Sequence, residues 1–90
     1  GSTNQAQIYN DLGVAWLEKG DFNRSLESFN KALQLDSNLS EALFNRALCY
    51  ERQSRFAEAK ADWNEYLKRD SSSPWADEAR RHLNASSANP

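Results

Sequence analysis

The chain repeats its own pattern once, with a period of about 34 residues that carries Tyr9 onto Leu43. After this shift, residues 9–16 realign with residues 43–50. Further matches follow downstream and pair Phe22 with Phe56, Ser25 with Ala59, Phe29 with Trp63, Leu33 with Leu67 and Asp36 with Asp70. A fixed period of this size is typical of repeat architectures, in which each unit buries its apolar face against its neighbours. It predicts a surface for a partner rather than a reaction centre.

Composition excludes several classes of function. The 90 residues suffice for one small domain. Eleven basic and thirteen acidic residues give a net charge of -2, without the basic excess that a general nucleic-acid surface needs. No apolar run approaches the roughly 18 residues of a membrane helix, so we expect neither nucleic acid nor a membrane as partner. The single cysteine excludes an internal disulfide, which favours a cytoplasmic location.

The two ends of the chain are polar. The sequence contains no Met and opens on Gly1-Ser2, which is typical of a cloning remnant, so we expect a piece of a longer protein. Residues 1–4 are predicted to be a disordered start. Residues 85–90 are small and polar and end in Pro90, which predicts a disordered tail.

Helical periodicity predicts an all-α fold with five helices. Apolar residues recur at helical spacing over about residues 5–19, 22–35, 39–53, 56–68 and 74–83. The predicted inner face of the first helix comprises Ile8, Tyr9, Leu12, Ala15 and Trp16. That of the fifth comprises Trp75, Ala76, Ala79 and Leu83, and a helix with one narrow apolar stripe suits the end of a stack.

Residues between the helices predict how each helix begins and ends. Gly20 tolerates a left-handed stop, and Asp21 can cap the second helix. Asn38 with Glu41 resembles a capping pair for the third helix. Ser54 stands where the first turn has glycine, and a left-handed residue there would cost about 1 kcal/mol, so we expect a turn of different shape. A capping Ser73 before Pro74 should start the fifth helix.

These motifs together resemble the tetratricopeptide repeat family. The first unit reads Tyr9-x-x-Leu12-Gly13-x-x-Trp16 and Ser25-x-x-x-Phe29, and the second reads Leu43-x-x-Arg46-Ala47-x-x-Tyr50 and Ala59-x-x-x-Trp63. The resemblance implies a right-handed α-solenoid fragment. Two helix-turn-helix repeats would span residues 5–38 and 39–73, and a capping helix would span residues 74–84.

Some positions depart from the family pattern. Ser37 and Ser71 replace the usual Pro, and Tyr66 replaces a small residue, which predicts that the stack ends there and the terminal helix docks. Arg46 replaces the usual Leu. We expect its stem to pack and its charged end to reach water, although pairing with Asp11 or with an acidic group of a ligand is also open.

The resemblance implies a concave face lined by the first helix of each pair. Phe44 and Leu48 would be apolar anchors, while Asn10 and Asn45 would offer a donor and an acceptor to a peptide main chain. Glu51 and Arg52 would be charges at the rim. The predicted binding residues are Asn10, Val14, Leu17, Phe44, Asn45, Leu48, Glu51 and Arg52, with Gln7 on the same face. Alternatively, the apolar ones contact the terminal helix or a further repeat.

Some family members hold the C-terminal carboxylate of chaperones with two Lys, two Asn and one Arg. Only Asn45 matches that set. The other four positions carry Asn10, Val14, Trp75 and Ala79. The resemblance therefore argues against carboxylate binding.

Residues with reactive side chains do not form a catalytic pattern. Cys49 is predicted to be a small buried hydrophobe, and His82 a surface residue of the last helix. Trp63 and Trp75 are predicted to be packing residues. No triad, phosphate loop or metal motif is present in the sequence, so we expect no enzyme and no cofactor.

The predicted function is therefore protein–protein interaction by a non-catalytic scaffold that binds a peptide or helix in its concave groove. Two repeats are fewer than the three or so that normally make a stable stack. A structural role consequently stays open. It would be self-association as a homo-oligomer, or docking onto the rest of a longer parent chain, for instance as the accessory domain of an enzyme.

Overall fold

The computed structural model describes the backbone of residues 2–88 and the side chains of residues 4–85. Five helices and no strand occur in this part of the chain. They are α1 (Ser2–Lys19), α2 (Phe22–Leu35), α3 (Ser40–Arg52), α4 (Phe56–Arg69) and α5 (Pro74–Ala88). The all-α prediction is confirmed.

The first and last helices are longer than the sequence predicts. α1 begins at Ser2, and α5 continues to Ala88, so residues 2–4 and 85–88 are helical where we expected disorder. No proline or glycine interrupts either segment, and alanine in the last one favours a helix. The expectations for Gly1 and for residues 89–90 lie outside the described residues.

The helices pack as two hairpins, α1 with α2 and α3 with α4. α3 also packs on α2, and α5 packs on α4, while α1 touches α3. Two groups of buried residues hold this arrangement together. The aromatic cluster comprises Phe44, Ala47, Ala59, Trp63, Tyr66 and Ala79. The first-repeat cluster comprises Leu17, Leu26, Phe29 and Cys49, and Leu48 and Tyr50 pack against both clusters.

Small residues allow the helices of the first hairpin to approach closely. A Cβ atom added to Gly13 would lie 2.5 Å from Cε1 of Phe29, which leaves no room for a side chain. Ser25 is buried at the same crossing, and its Oγ donates to the Gly13 carbonyl oxygen at 2.7 Å. The small residues of the repeat pattern are therefore required for close packing.

The two turns within the hairpins have the same backbone shape. Gly20 has a φ of 80° and Ser54 a φ of 59°, so both lie in the left-handed region. The amide of Asp21 donates to the Trp16 carbonyl oxygen, and the equivalent amide of Arg55 donates to that of Tyr50. The expectation of a differently shaped second turn is wrong, because these hydrogen bonds compensate for the strain at Ser54.

Helix capping follows the sequence at two of three sites. Oδ1 of Asp21 accepts from the Arg24 amide at 3.1 Å, and Oγ of Ser73 accepts from the Ala76 amide at 3.2 Å, as predicted. The predicted cap at Asn38 is wrong. Its amide donates to Oδ1 of Asp36, and α3 begins after Leu39 without a side-chain cap.

The buried face of α1 differs from the predicted face. Ala6, Asn10, Gly13 and Leu17 turn inward. Ile8 is 63% exposed and Leu12 is 42% exposed, and Ala15 is also exposed. The corresponding face of α3 lies against α2, whereas α1 has no preceding helix in the described part of the chain. Phe56, also predicted to point inward, is 47% exposed.

Candidate functional site

A central cleft of about 470 Å³ opens where α1, α3, α4 and α5 meet. Most of its lining is apolar, and the polar side chains Glu41 and Asn45 both lie on α3. The residues that line it are Val14, Glu41, Phe44, Asn45, Tyr66 and Trp75. A concave apolar surface with few polar groups is the usual form of a ligand site.

Aromatic rings build one wall of the central cleft. The Phe44 ring lies 4.8 Å from that of Trp63, 5.3 Å from that of Tyr66 and 5.4 Å from that of Trp75, always edge to face. Phe44 is only 6% exposed, whereas Trp75 is 63% exposed. Phe44, predicted to be an apolar anchor of the groove, therefore lines the cleft mainly as a core residue. Trp75, predicted to be a packing residue, presents the surface of the wall instead.

A chain of amide groups fixes the polar end of the central cleft. Asn10 is fully buried, and its Nδ2 donates to Oε2 of Glu41 at 2.5 Å. Its Oδ1 accepts from Nδ2 of Asn45 at 3.1 Å. Gln7 adds a donor to the same Glu41 oxygen at 3.3 Å. Both polar atoms of the Asn10 side chain are thus engaged within the chain. Contrary to the prediction, Asn10 orients its neighbours instead of facing a peptide.

Hydrogen bonds to Asp70 position α5 beside the central cleft. The Tyr66 hydroxyl donates to Asp70 at 2.7 Å, and the Ser73 amide at 3.2 Å. The Ser73 hydroxyl also donates to this carboxylate. The hydrogen bonds from the Ser73 hydroxyl and, second, from the Tyr66 hydroxyl lower the pKa of Asp70 to about 2. Burial, with Asp70 second, raises the pKa of Tyr66 to about 12, so the phenol remains a donor at neutral pH.

The other predicted binding residues lie away from the central cleft. Leu17 is buried in the first-repeat cluster, and Leu48 is half-buried between the two clusters. Glu51 accepts from Nε1 of Trp63 at 2.8 Å. The Arg52 guanidinium lies 5.7 Å from the Phe22 ring. Of the eight predicted residues, the central cleft brings together Val14, Phe44 and Asn45.

His82 is not the surface residue that we expected. Its ring stacks on that of Trp63 with centroids 4.9 Å apart. Its Nδ1 lies 2.8 Å from Glu51 and its Nε2 lies 3.2 Å from Glu78. The repeat period could have predicted this position, because His82 follows Leu48 by one full period and therefore falls on an inner face. Glu51 contacts the terminal helix and is not a rim charge.

Arg46 makes an ion pair that differs from all three of its predicted roles. Its Nε and Nη2 donate to the two carboxylate oxygens of Asp62 at 2.8 Å, and its Nη1 donates to Asn30 at the same distance. The hydrogen bond to Asp62 raises the pKa of Arg46. The residue thus joins α2, α3 and α4 where the repeat pattern has leucine.

Cys49 is fully buried, as predicted. Its thiol donates to the Phe22 carbonyl oxygen at 3.6 Å, and burial raises its pKa. A buried thiol with a raised pKa is a poor nucleophile. This geometry agrees with a packing role.

Three residues of the central cleft escaped the sequence prediction, namely Glu41, Tyr66 and Trp75. Glu41 follows Gln7 by one repeat period, and Trp75 follows Glu41 by another. Because Gln7 is predicted on the concave face, the period alone could have identified both. Tyr66 carries no such signal, since its predicted role was to mark where the terminal helix docks. That helix does dock beside it, through Asp70 and Ser73.

Two searches over the described residues were negative. In this part of the chain, no three His, Cys, Asp or Glu side chains are grouped so that they could hold a metal ion. None of the described helices combines the length and the apolar character that crossing a membrane requires.

Comparison with known proteins matches most of the chain. Two tetratricopeptide repeat models match residues 6–39 and 40–73. Among solved structures, the Arabidopsis OM64 TPR domain superposes with a TM-score of 0.81 at 26% identity, over 90% of this chain and 67% of that one.

Curated relatives match along part of their own length. Photosystem I assembly protein Ycf3 from Synechococcus sp. is 28% identical over 87% of this chain, which spans 42% of Ycf3. Human mitochondrial import receptor subunit TOM34 is 35% identical over 78% of this chain, which spans 23% of TOM34. The uncharacterized protein MJ0572 from Methanocaldococcus jannaschii is 39% identical over 62% of this chain, which spans 65% of MJ0572. Repeats of this type generally mediate protein–protein interaction. With the hairpins, the repeat period and both repeat matches in agreement, the chain belongs to the tetratricopeptide repeat family.

Proposed function

We propose that the chain is a non-catalytic interaction module that binds a peptide or a helix of a partner protein in the central cleft. The observation that carries this proposal is Trp75, a large aromatic residue that is 63% exposed beside an apolar cleft. Exposed aromatic residues rimmed by polar groups commonly mark interaction sites. The names of Ycf3, an assembly protein, and TOM34, an import receptor, also favour a protein as the partner.

The packing behind the cleft supports tight binding. Phe44 and Tyr66 are held edge to face in the core, and the hydrogen bonds of Asp70 fix the turn before Trp75. A site that is ordered before binding loses little entropy when a partner arrives. The ordering cost then falls mainly on the peptide, which a segment with some helical tendency would reduce.

A matched pair of variants tests this proposal. Peptides selected from a displayed random library would be titrated against the parent domain by fluorescence anisotropy. Trp75→Ala should weaken their binding about ten-fold, which is usual for a central aromatic contact. Phe56→Ala is the control, because Phe56 is another exposed aromatic residue and lies outside the cleft lining. Equal binding by parent and Trp75→Ala, or a library without any binder, would contradict the proposal.

Self-association is the second candidate, and the outer face of α1 favours it. Ile8 and Leu12 are exposed there, and shallow clefts beside Tyr9 and Trp16 adjoin them. Burying this face between two copies would remove apolar surface from water. Light scattering over a range of concentrations tests the idea. A mass that stays monomeric throughout would exclude it, and a dimer that Ile8→Asp dissociates would support it.

A further inference from the structure

We infer that the central cleft selects a segment in which lysine or arginine stands next to an apolar side chain, with the cation paired to Glu41. This inference rests on the proposed function and adds the chemistry of the partner. It also implies that a free C-terminal carboxylate is disfavoured in this cleft.

Glu41 is the charged residue among the six that line the cleft. Its Oε2 accepts from Asn10 and Gln7, and both donors are neutral amides. These bonds hold the carboxylate in place without cancelling its charge. Its Oε1 has no hydrogen-bond partner among the described residues, so this oxygen can accept from an ammonium or guanidinium group.

The surroundings of Glu41 add negative charge. Gln7 also donates to Oδ1 of Asp11 at 3.0 Å, which places a second carboxylate next to the first. Asp70 accepts from the hydroxyl of Tyr66, another residue of the cleft lining. Together with the net charge of -2, these acids favour the approach of a basic segment.

Two basic side chains that donate to the turns before α3 and α5 are also paired with acids on their own helices. Arg69 lies 3.6 Å from Glu65 of its own helix and donates to the Ser37 carbonyl oxygen. Arg80 lies 3.1 Å from Asp77 and donates to the Ser71 carbonyl oxygen. Neither belongs to the cleft lining. Glu41 therefore keeps its charge available to a ligand.

The apolar part of the cleft lies beside the carboxylate. Glu41 and Phe44 are three residues apart on α3, so they share one face of that helix. Val14, Tyr66 and Trp75 complete the wall around Phe44. A side chain such as Leu or Phe would fill this space while a neighbouring Lys or Arg reaches Glu41. A terminal carboxylate in the same place would meet a like charge instead.

The test uses short amidated, N-acetylated peptides with the same apolar residues in three series. One position next to the apolar residues carries Lys, Gln or Glu. Their affinities for the full chain would be measured by fluorescence anisotropy at low salt. The Lys series should bind about five-fold more tightly than the Gln series, which is typical of one ion pair at a surface, and the Glu series more weakly still. Raising the salt concentration should reduce the difference.

Two glutamine variants test whether the preference for lysine depends on Glu41. Glu41→Gln keeps an oxygen that can accept from Asn10, and it should make the Lys and Gln series bind equally. Glu58→Gln is the control, since Glu58 is an exposed acid in the first turn of α4 that pairs with Arg55 and lies outside the cleft. It should preserve the preference. Circular dichroism checks that both variants fold.

The possible failures can be told apart. Equal binding of all three series, with affinity still lost in Trp75→Ala, would overturn the inference and leave the proposed function standing. A preference for Lys that persists in Glu41→Gln would also overturn it. Failure of every series to bind, or binding unaffected by Trp75→Ala, would count against the proposed function itself. Tighter binding of peptides with a free C-terminal carboxylate than of their amides would overturn the predicted charge selectivity.

Discussion

At the scale of single residues, two equivalent turn positions carry different amino acids in the same backbone conformation. Gly20 and Ser54 both have positive φ, and the hydrogen bonds of the two turns correspond. A residue with a Cβ atom is strained there, whereas glycine is not. The second repeat therefore stores strain that the first repeat avoids.

The first prediction follows from this difference. Ser54→Gly should raise the free energy of unfolding by up to about 1 kcal/mol, because it relieves the left-handed strain. Part of that gain is offset by the greater entropy of glycine in the unfolded chain. Urea denaturation followed by circular dichroism measures it. The reverse change, Gly20→Ser, is the control and should lower the stability by a similar amount, while a loss of stability in Ser54→Gly would contradict the argument.

Arg46 shows why some single-residue contacts escape a sequence pattern. Its partners Asn30 and Asp62 are each 16 residues away, in two different helices. Neither spacing belongs to the helical periodicity or to the repeat period. The sequence identifies Arg46 as a departure from the family, but only the packing of α2, α3 and α4 brings these groups together.

At the scale of elements, the connection between α4 and α5 depends on one carboxylate. Asp70 ends α4 and accepts from the backbone amides of Ser72 and Ser73. It also accepts from the hydroxyls of Tyr66 and Ser73. Asp36 occupies the equivalent position at the end of α2, where its side chain accepts from the Asn38 amide. The bonds to Tyr66 and Ser73 are therefore specific to the junction that positions α5.

The second prediction is a dependence of stability on acid pH. Because folding lowers the pKa of Asp70 from 3.8 to about 2, the ionised carboxylate stabilises the folded state above about pH 4. This contribution should disappear as the pH falls from about 4 to about 2. Asp70→Asn should thus be less stable than the parent at neutral pH, and the two should converge in acid. Urea denaturation across this range measures both curves.

Asp36→Asn is the matched control for this measurement. It removes a carboxylate from the equivalent helix end without touching the junction of α4 and α5. Asp36→Asn should therefore lose stability between about pH 4 and pH 2 as the parent does, whereas Asp70→Asn should not show this loss. If Asp70→Asn lost stability in acid as steeply as the parent does, Asp70 would not be the group responsible.

At the scale of the whole molecule, the repeat period predicts the fold because each helix face has an equivalent one period away. The helix order, the hairpins and the docking of a terminal helix all follow from it. The ends of α1 and α5 do not, because polar residues without a breaking Gly or Pro are compatible with both helix and disorder. The prediction for the face of α1 was wrong because Ile8 and Leu12 match positions that need a preceding helix to cover them.

The candidate site was less predictable than the fold. The concave face follows from the architecture, and the structure brings Val14, Phe44 and Asn45 together there. Which of them are exposed depends on α5, whose Trp75 takes the outer position and leaves Phe44 in the core. That arrangement is a tertiary contact between segments that are distant in the sequence, and no local pattern encodes it.

The third prediction concerns α5 as part of the stack. Ala79 is fully buried in the aromatic cluster, so Ala79→Asp would place a carboxylate beside the rings of Phe44 and Trp63. An unpaired buried charge there should lower the stability by about 3 kcal/mol or more. A domain of this size cannot tolerate that cost, so we expect α5 to detach and expose the carboxylate to water. Thermal unfolding followed by circular dichroism should show a lower midpoint. Ala85→Asp, an exposed position on the same helix, is the control and should change the stability by less than about 0.5 kcal/mol.

The same pair of variants links stability to binding. Releasing α5 removes Trp75 from the central cleft and uncovers the face of Trp63 on which His82 stacks. Ala79→Asp should therefore lose peptide affinity to the same extent as Trp75→Ala, even though position 79 does not line the cleft. Ala85→Asp should bind like the parent. An Ala79→Asp domain that kept both its midpoint and its affinity would mean that α5 does not pack on α4 in solution, and the central cleft would then not exist as a binding site.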